Sequence, residues 1–101
     1  MKPEPVLSLL GLAKKAGKIK SGSFAVEEAV KTQEAFLVIC ATDASERTQK
    51  DTKNMCQYYN VPCFFYGTKD TLGKCVGREY NALLCVTDQN FAGTIQKKAK
   101  P

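Results

Sequence analysis

The sequence predicts an α/β protein, a single-domain three-layer α/β/α sandwich with a central mixed sheet of about four strands. Three observations predict it. Short apolar runs at 35–41, 63–66 and 82–86 alternate with segments of helical periodicity. Each run stops at a residue able to cap a helix, in Thr42-Asp43, Gly67-Thr68 and Thr87-Asp88. The 101 residues, 44% of them hydrophobic, suit one core and leave no room for two domains. Strands alternating with helices in this way are the pattern of βαβ units with right-handed crossovers. No internal repeat or linker interrupts it.

Taken in order, Val6, Leu9, Leu10, Ala13 and Ala16 recur at i, i+3, i+4 and i+7, which is one face of a helix. Leu7 and Leu12 broaden that face. Pro5 fits its first turn and Gly17 its end. Lys18-Ile19-Lys20 alternates and reads as a brief edge strand. A second helix spans about Ser23 to Thr32, with Val26, Ala29 and Val30 inward and Glu27 and Lys31 as a favourable i, i+4 pair.

The run AFLVICA, Ala35 to Ala41, is short, continuous and apolar, as a strand buried on both faces should be. Asp43 or Ser45 can cap the next helix, which has Glu46 in its first turn. Thr48, Thr52, Met55, Cys56 and Tyr59 share one side of it, and Arg47, Lys50 and Asn54 another. Asn60 and Pro62 end it. The next strand, Cys63 to Tyr66, leads through Thr68 to a short helix with Leu72, Cys75 and Val76, ended by Gly77. Arg78-Glu79-Tyr80-Asn81 reads as an exposed turn before the strand Ala82 to Val86. Asp88 caps the last helix, whose inner side carries Phe91, Ala92, Ile95 and Ala99. Gly93 inside that helix costs about 1 kcal/mol relative to alanine. The tail from 97 to 101 is expected to fray.

Composition narrows the function. Net charge is +5 at pH 7, which suits a polyanion such as nucleic acid or an acidic membrane surface. No apolar run approaches the ~20 residues that span a bilayer. The start MKPEPVLSLL carries Glu4, two prolines and no small-residue cleavage site, so it reads as the start of a soluble domain. The five cysteines are odd in number and irregular in spacing, with no C-x-x-C, so neither a zinc knuckle nor a dithiol redox motif is supported. Most lie in apolar runs, where cysteine behaves as a small hydrophobe, and this points to a reducing cytoplasm. The chain has no histidine, which excludes Ser-His and Cys-His catalysis and histidine metal sites. Neither G-x-G-x-x-G nor a P-loop is present. No cofactor and no metal is expected.

If the three apolar strands are parallel, their capped ends gather on one edge, where α/β folds place ligands. Asp43 and Asp88 would then be the available carboxylate pair, although capping explains both. Lysines cluster at 14–20, 47–53 and 69–78. The first cluster, Lys14, Lys15, Lys18 and Lys20, runs into Ser21-Gly22-Ser23 and a helix start. Helix starts leave N–H groups unpaired and carry partial positive charge, so they attract anions. Phe24, just inside that helix, is either a stacking surface for an unpaired base or a core side chain or hydrophobic staple.

Four strings, LLGLAKKAGKIKSG (9–22), LVICATDASERT (37–48), YYNVPCFFYGTKDTLG (58–73) and ALLCVTD with Phe91 (82–91), cover nearly the whole chain. In order and spacing the chain resembles the ribosomal L-seven-Ae / L-thirty-e family, most of all its small bacterial YlxQ-like members. The resemblance implies an α/β/α sandwich that binds RNA, often kink-turns. It places the RNA between the helix start around Gly22 and the turn Arg78 to Asn81. Kink-turn binders of this type read sheared G·A pairs with an Asn and a Glu and meet the backbone with a Lys. In this chain Phe24 stands in the Asn place, Ala25 in the Glu place and Glu28 in the Lys place.

The expectation is therefore a non-enzymatic, cytoplasmic RNA-binding protein, ribosome- or translation-associated, monomeric, with no membrane or small-molecule partner. Its expected RNA-facing residues are Lys18, Lys20, Ser21, Gly22, Ser23, Phe24, Arg78, Glu79 and Tyr80. The alternative is a protein-interaction adaptor on the same fold that has lost kink-turn affinity.

Overall fold

The computed structural model describes residues 5–99. The reading of the N-terminal start rests partly on residues 1–4, which lie outside the described residues, as do 100 and 101 of the tail. The elements are α1 (Pro5–Lys15), β1 (Ile19–Ser21), α2 (Ser23–Lys31), β2 (Leu37–Cys40), α3 (Glu46–Tyr59), β3 (Cys63–Phe65), α4 (Lys69–Cys75), β4 (Leu83–Val86) and α5 (Gln89–Ala99). Helices α2 and α3 cover one face of the sheet, and α1, α4 and α5 pack together on the other. This is the three-layer α/β/α sandwich with a four-stranded mixed sheet.

The sheet order is β1-β4-β2-β3. The two central strands, LVIC and LLCV, are buried at every position, which is why their sequences are continuous apolar runs. Leu10, Leu37, Ile39, Leu72, Leu84 and Ile95 are fully buried and form the centre of the core. In α1 the stripe narrows to Val6, Leu10 and Ala13. Leu12 and Ala16, read as part of it, are exposed.

The caps separate as the chain requires. Ser45 Oγ accepts the Thr48 N–H at 3.1 Å and caps α3. Asp43, the other candidate for that role, instead accepts the Lys69 N–H at 2.8 Å and fixes the start of α4. Thr68 and Thr71 form a reciprocal capping box on α4. Asn60 ends α3 in the left-handed region, with φ 59°.

One expectation is corrected. β4 runs antiparallel to β2, with Leu37 opposite Val86 and Cys40 opposite Leu83, while only β2 and β3 are parallel to a neighbour. The cause is the shortness of α4. Seven residues of helix span only about 10 Å, and the Asn81 N–H then donates to the Lys69 carbonyl at 3.0 Å. The chain has returned to the edge it left, so it enters β4 in the opposite direction. Thr42-Asp43 and Gly67-Thr68 therefore share one edge, and Thr87-Asp88 lies on the other. Asp43 and Asp88 cannot form a carboxylate pair.

Candidate nucleic-acid interface

Strands β1, β2 and β3 all end on the same edge of the sheet, where β4 begins. The starts of α2, α3 and α4 follow there directly. Short hydrogen bonds hold the segments of this edge together. The Gly22 N–H donates to the Leu83 carbonyl at 2.9 Å, and the Thr42 N–H donates to the Gly67 carbonyl at 2.8 Å. The Gly22 bond places the β1–α2 junction beside the segment that follows the turn 78–81.

Gly22 sits at φ 95°, ψ 155°, a conformation that side chains rarely adopt. It occupies the N-cap position of α2, where it offers no side chain to accept a helix-start N–H. Among the described residues, α3, α4 and α5 each begin with a side-chain cap, from Ser45, Thr68 and Asp88. α2 begins without one. Its first-turn N–H groups are left for solvent or an anion, and the positive end of the helix dipole points the same way.

Phe24 is 81% exposed at this helix start. That decides between the two readings of the residue: it is a surface aromatic, not a core side chain. Across the junction Tyr80 is 62% exposed, beside exposed Arg78 and Glu79. The turn is pinned from below by Gly73, because a Cβ there would stand 2.8 Å from the carbonyl oxygens of both Arg78 and Glu79. The Arg78 N–H also donates to the Gly73 carbonyl at 2.8 Å.

The structure thus brings Ser21, Gly22, Ser23 and Phe24 onto one edge with Arg78, Glu79 and Tyr80. It separates the lysines from them. Lys18 lies at the far end of β1, where its carbonyl accepts the Thr87 N–H at 2.8 Å. Lys20 lies within β1, opposite Cys85, with its ammonium 3.7 Å from Glu34. Lys14 and Lys15 belong to the last turn of α1, where cations suit the helix dipole. The basic segment is therefore a helix end and an edge strand rather than one loop running into Gly22. β1 is one of the two edge strands, so Lys18 and Lys20 flank the interface along an open side of the sheet.

Asn81 was read as part of an exposed turn, and it is buried, at 5% exposure. Its Nδ2 has no hydrogen-bond partner among the described residues. No sequence signal marks this, since Asn81 follows three exposed residues in a polar string.

None of the five cysteines forms a disulfide. Burial, above all, pushes the Cys40 and Cys85 thiols up to about 11, so they stay protonated and inert. Among the described residues no group of Cys, Asp and Glu could hold a metal ion. None of the described helices is long and apolar enough to cross a membrane.

The family model of the ribosomal protein L7Ae/L30e/S12e/Gadd45 family matches residues 4–95. The chain belongs to that family. It is 38% identical over 87 residues to the RNA-binding protein YlxQ of Bacillus subtilis (strain 168), covering 86% of this chain and 87% of that protein. It is 32% identical over 89 residues to the RNA-binding protein YlxQ of Enterococcus faecium, covering 88% and 85%. A solved Bacillus halodurans C protein of unknown function superposes with a TM-score of 0.92 at 30% identity, over 95% of this chain and 97% of that one. The Giardia lamblia 15.5kD RNA binding protein shares the fold, with a TM-score of 0.79 at 21% identity over 97% and 88%. The family read from the four strings of the sequence is the family that matches, and the two YlxQ relatives carry the names of RNA-binding proteins rather than of enzymes.

Proposed function

We propose that the protein binds structured RNA, in a ribosome- or translation-associated and non-enzymatic role. The observation that carries the proposal is the edge where exposed Phe24, on the uncapped start of α2, stands beside the turn Arg78 to Asn81. The names of the YlxQ relatives point to the same ligand. In this reading Arg78 meets a phosphate, the backbone from Ser21 to Phe24 approaches the RNA, and Phe24 and Tyr80 stack on unpaired bases. RNA that follows the open side of β1 passes Lys20 and Lys18 in turn. The Lys20–Glu34 pair does not prevent this, because a half-exposed ion pair is worth only about 0–1 kcal/mol and exchanges readily.

In this reading a kink-turn RNA is held through shape, backbone and stacking rather than by base reading. Phe24, Ala25 and Glu28 lack the polar groups that would read sheared G·A pairs. The reading also makes the protein a cytoplasmic monomer, and a reducing compartment accords with five cysteines that form no disulfide. Equilibrium binding of labelled kink-turn and other hairpin RNAs at several salt concentrations tests it. Affinity should fall linearly in a log–log plot against salt, with a slope of about −0.9 per phosphate contacted on a duplex. Lys18/Lys20→Glu should weaken binding. Salt-insensitive or absent binding, or an unaffected Lys18/Lys20→Glu variant, refutes the proposal.

The adaptor reading draws on the same three substitutions at Phe24, Ala25 and Glu28. Pull-down with and without RNase separates it from RNA binding: partners that survive RNase favour the adaptor.

A further inference from the structure

Four of the five cysteines gather on one face of the sheet. The strand registers place Cys85 and Cys63 on either side of Val38, and Leu83 and Phe65 on either side of Cys40. Residues opposite one another on neighbouring strands share a face. Lys53 of α3 holds its ammonium 5.7 Å from the centre of the Phe65 ring, so this is the face that α3 covers. Cys56 is one of the two buried residues of α3 and comes down onto it. There its thiol meets Cys63 in a side-chain hydrogen bond. Cys75 lies apart in the other helical layer, where its thiol donates to the Leu7 carbonyl at 3.4 Å.

Cys56 and Cys63 stand at the two ends of a pinned connection. The Val61 N–H donates to the Cys56 carbonyl at 2.9 Å, and the Val38 N–H donates to the Pro62 carbonyl at 2.9 Å. The fold therefore holds the two thiols together. Their surroundings differ. Cys56 is buried, whereas Cys63 is half-buried and opens β3, an edge strand. Exposed Lys53 precedes Cys56 by about one turn of α3 and stands over the same side. The Cys56 hydrogen bond, helped by Lys53, holds the Cys63 thiol below its ordinary value against the opposing effect of burial. The same bond, together with burial, pushes the Cys56 thiol up. Cys63 thus gives up its proton first, beside a cation and within reach of solvent, and Cys56 keeps its own.

We propose that Cys63 and Cys56 form a reversible oxidation site, at which a hydroperoxide oxidises Cys63 and Cys56 then closes a disulfide between β3 and α3. The Cys63 thiolate attacks one peroxide oxygen. An S–O bond forms as the O–O bond breaks, and the departing alkoxide takes up the proton that Cys63 released. Sulfur loses two electrons to the peroxide and becomes a sulfenic acid. The Cys56 sulfur then attacks the Cys63 sulfur. The S–S bond forms, the S–O bond breaks, and hydroxide leaves with the Cys56 proton as water. Two thiols and one hydroperoxide give a disulfide, an alcohol and a water. Cys63 lies at the start of β3, whereas the edge at Gly22 is where β3 ends, so the inference does not rest on RNA binding.

The test treats the full, reduced chain with hydrogen peroxide, quenches it with iodoacetamide and maps the tryptic peptides. Cleavage after Lys53 and Lys69 leaves both cysteines in one peptide, 54–69. That peptide should lose two hydrogens and both alkylations, and dithiothreitol should restore them. Cys40 and Cys85, with thiols near 11, should react at least about tenfold more slowly. In Cys56→Ser the Cys63 sulfenic acid has no partner, so dimedone should capture it on the same peptide. Lys53→Met should slow the conversion. Circular dichroism checks the fold of each variant, and the wild-type map decides the matter without them. A peptide 54–69 that keeps both thiols at every dose, or a Cys63 bridged to another cysteine or to a second chain, overturns the inference. So does a folded Cys56→Ser chain that yields no dimedone adduct.

Discussion

Two glycine-to-alanine changes in helices should act in opposite directions. In Gly73→Ala the new Cβ would lie 2.8 Å from the carbonyl oxygens of Arg78 and Glu79 and 3.0 Å from the Glu79 carbonyl carbon. These are backbone atoms, so no flexible side chain can give way. The turn must lift, which strains the Arg78 N–H bond to Gly73 and the Asn81 N–H bond to Lys69. Overpacking of this kind costs about 1–3 kcal/mol, and each weakened hydrogen bond adds about 0.5–1.5 kcal/mol. Against this, alanine in a helix gains about 0.8–1.0 kcal/mol over glycine. A net loss of about 1–5 kcal/mol remains, which lowers Tm by roughly 4–40 °C for a domain of this size. Gly93→Ala makes the same chemical change in α5, where a Cβ meets nothing within 4 Å. It should raise Tm by roughly 4–8 °C. Differential scanning calorimetry of both variants, with RNA affinity measured in parallel, is the assay. Gly73→Ala should also weaken RNA binding, because it displaces Arg78 and Tyr80, and Gly93→Ala should not. A Gly73→Ala protein as stable as wild type, with unchanged RNA affinity, would refute the argument that this glycine pins the turn.

Phe24→Ala should leave Tm within the range of a surface change, about ±0.5 kcal/mol, while weakening RNA binding by roughly 5- to 150-fold, the range for one stacked base; a large Tm loss in calorimetry would mean that Phe24 packs after all. Asn81→Leu removes a buried Nδ2 that has no partner among the described residues, so its urea midpoint should rise, by an amount of the order of the 1–3 kcal/mol that an unsatisfied group costs; a fall would show that the amide is satisfied in solution. Ser45→Ala deletes the cap on the Thr48 N–H and should cost about 0.5–2 kcal/mol in urea unfolding. Above pH 9 the protein should lose stability. Burial raises the folded Cys40 and Cys85 thiols from 9.0 to about 11, so the unfolded chain releases these protons first. The contribution is complete below pH 9 and is lost as pH rises through 11, and a Cys40→Ala/Cys85→Ala variant, though less stable, should show a shallower fall of the urea midpoint over that range.

Much of the fold was legible because strong local signals agreed. LVIC and LLCV are buried at every position, and such strands can only be written as continuous apolar runs. Ser45, Thr68, Asp88 and Asn60 are residues whose side chains or left-handed preference suit them to helix ends, and they stand there. The direction of β4 was not legible, since nothing local records that α4 is short enough to return the chain to its starting edge. For the same reason Lys18 and Gly22, four residues apart, read as one loop, although an intervening strand carries them to opposite ends of the sheet. Gly73 and Asn81 look unremarkable in sequence because what matters about them is the packing of segments distant along the chain. Phe24 could be read either way, because an aromatic beside the first turn of a helix serves equally as a core anchor or as a platform. Only its exposure settles the choice.

The most direct test of the central claim is ultraviolet crosslinking of the full chain in cells, with the bound RNA sequenced and the crosslinked residues mapped by mass spectrometry. The account predicts structured RNA attached at Phe24 and Tyr80, on the edge joined by the Gly22–Leu83 hydrogen bond. No crosslinked RNA, or RNA attached instead at Tyr58 between α2 and α3, would contradict it.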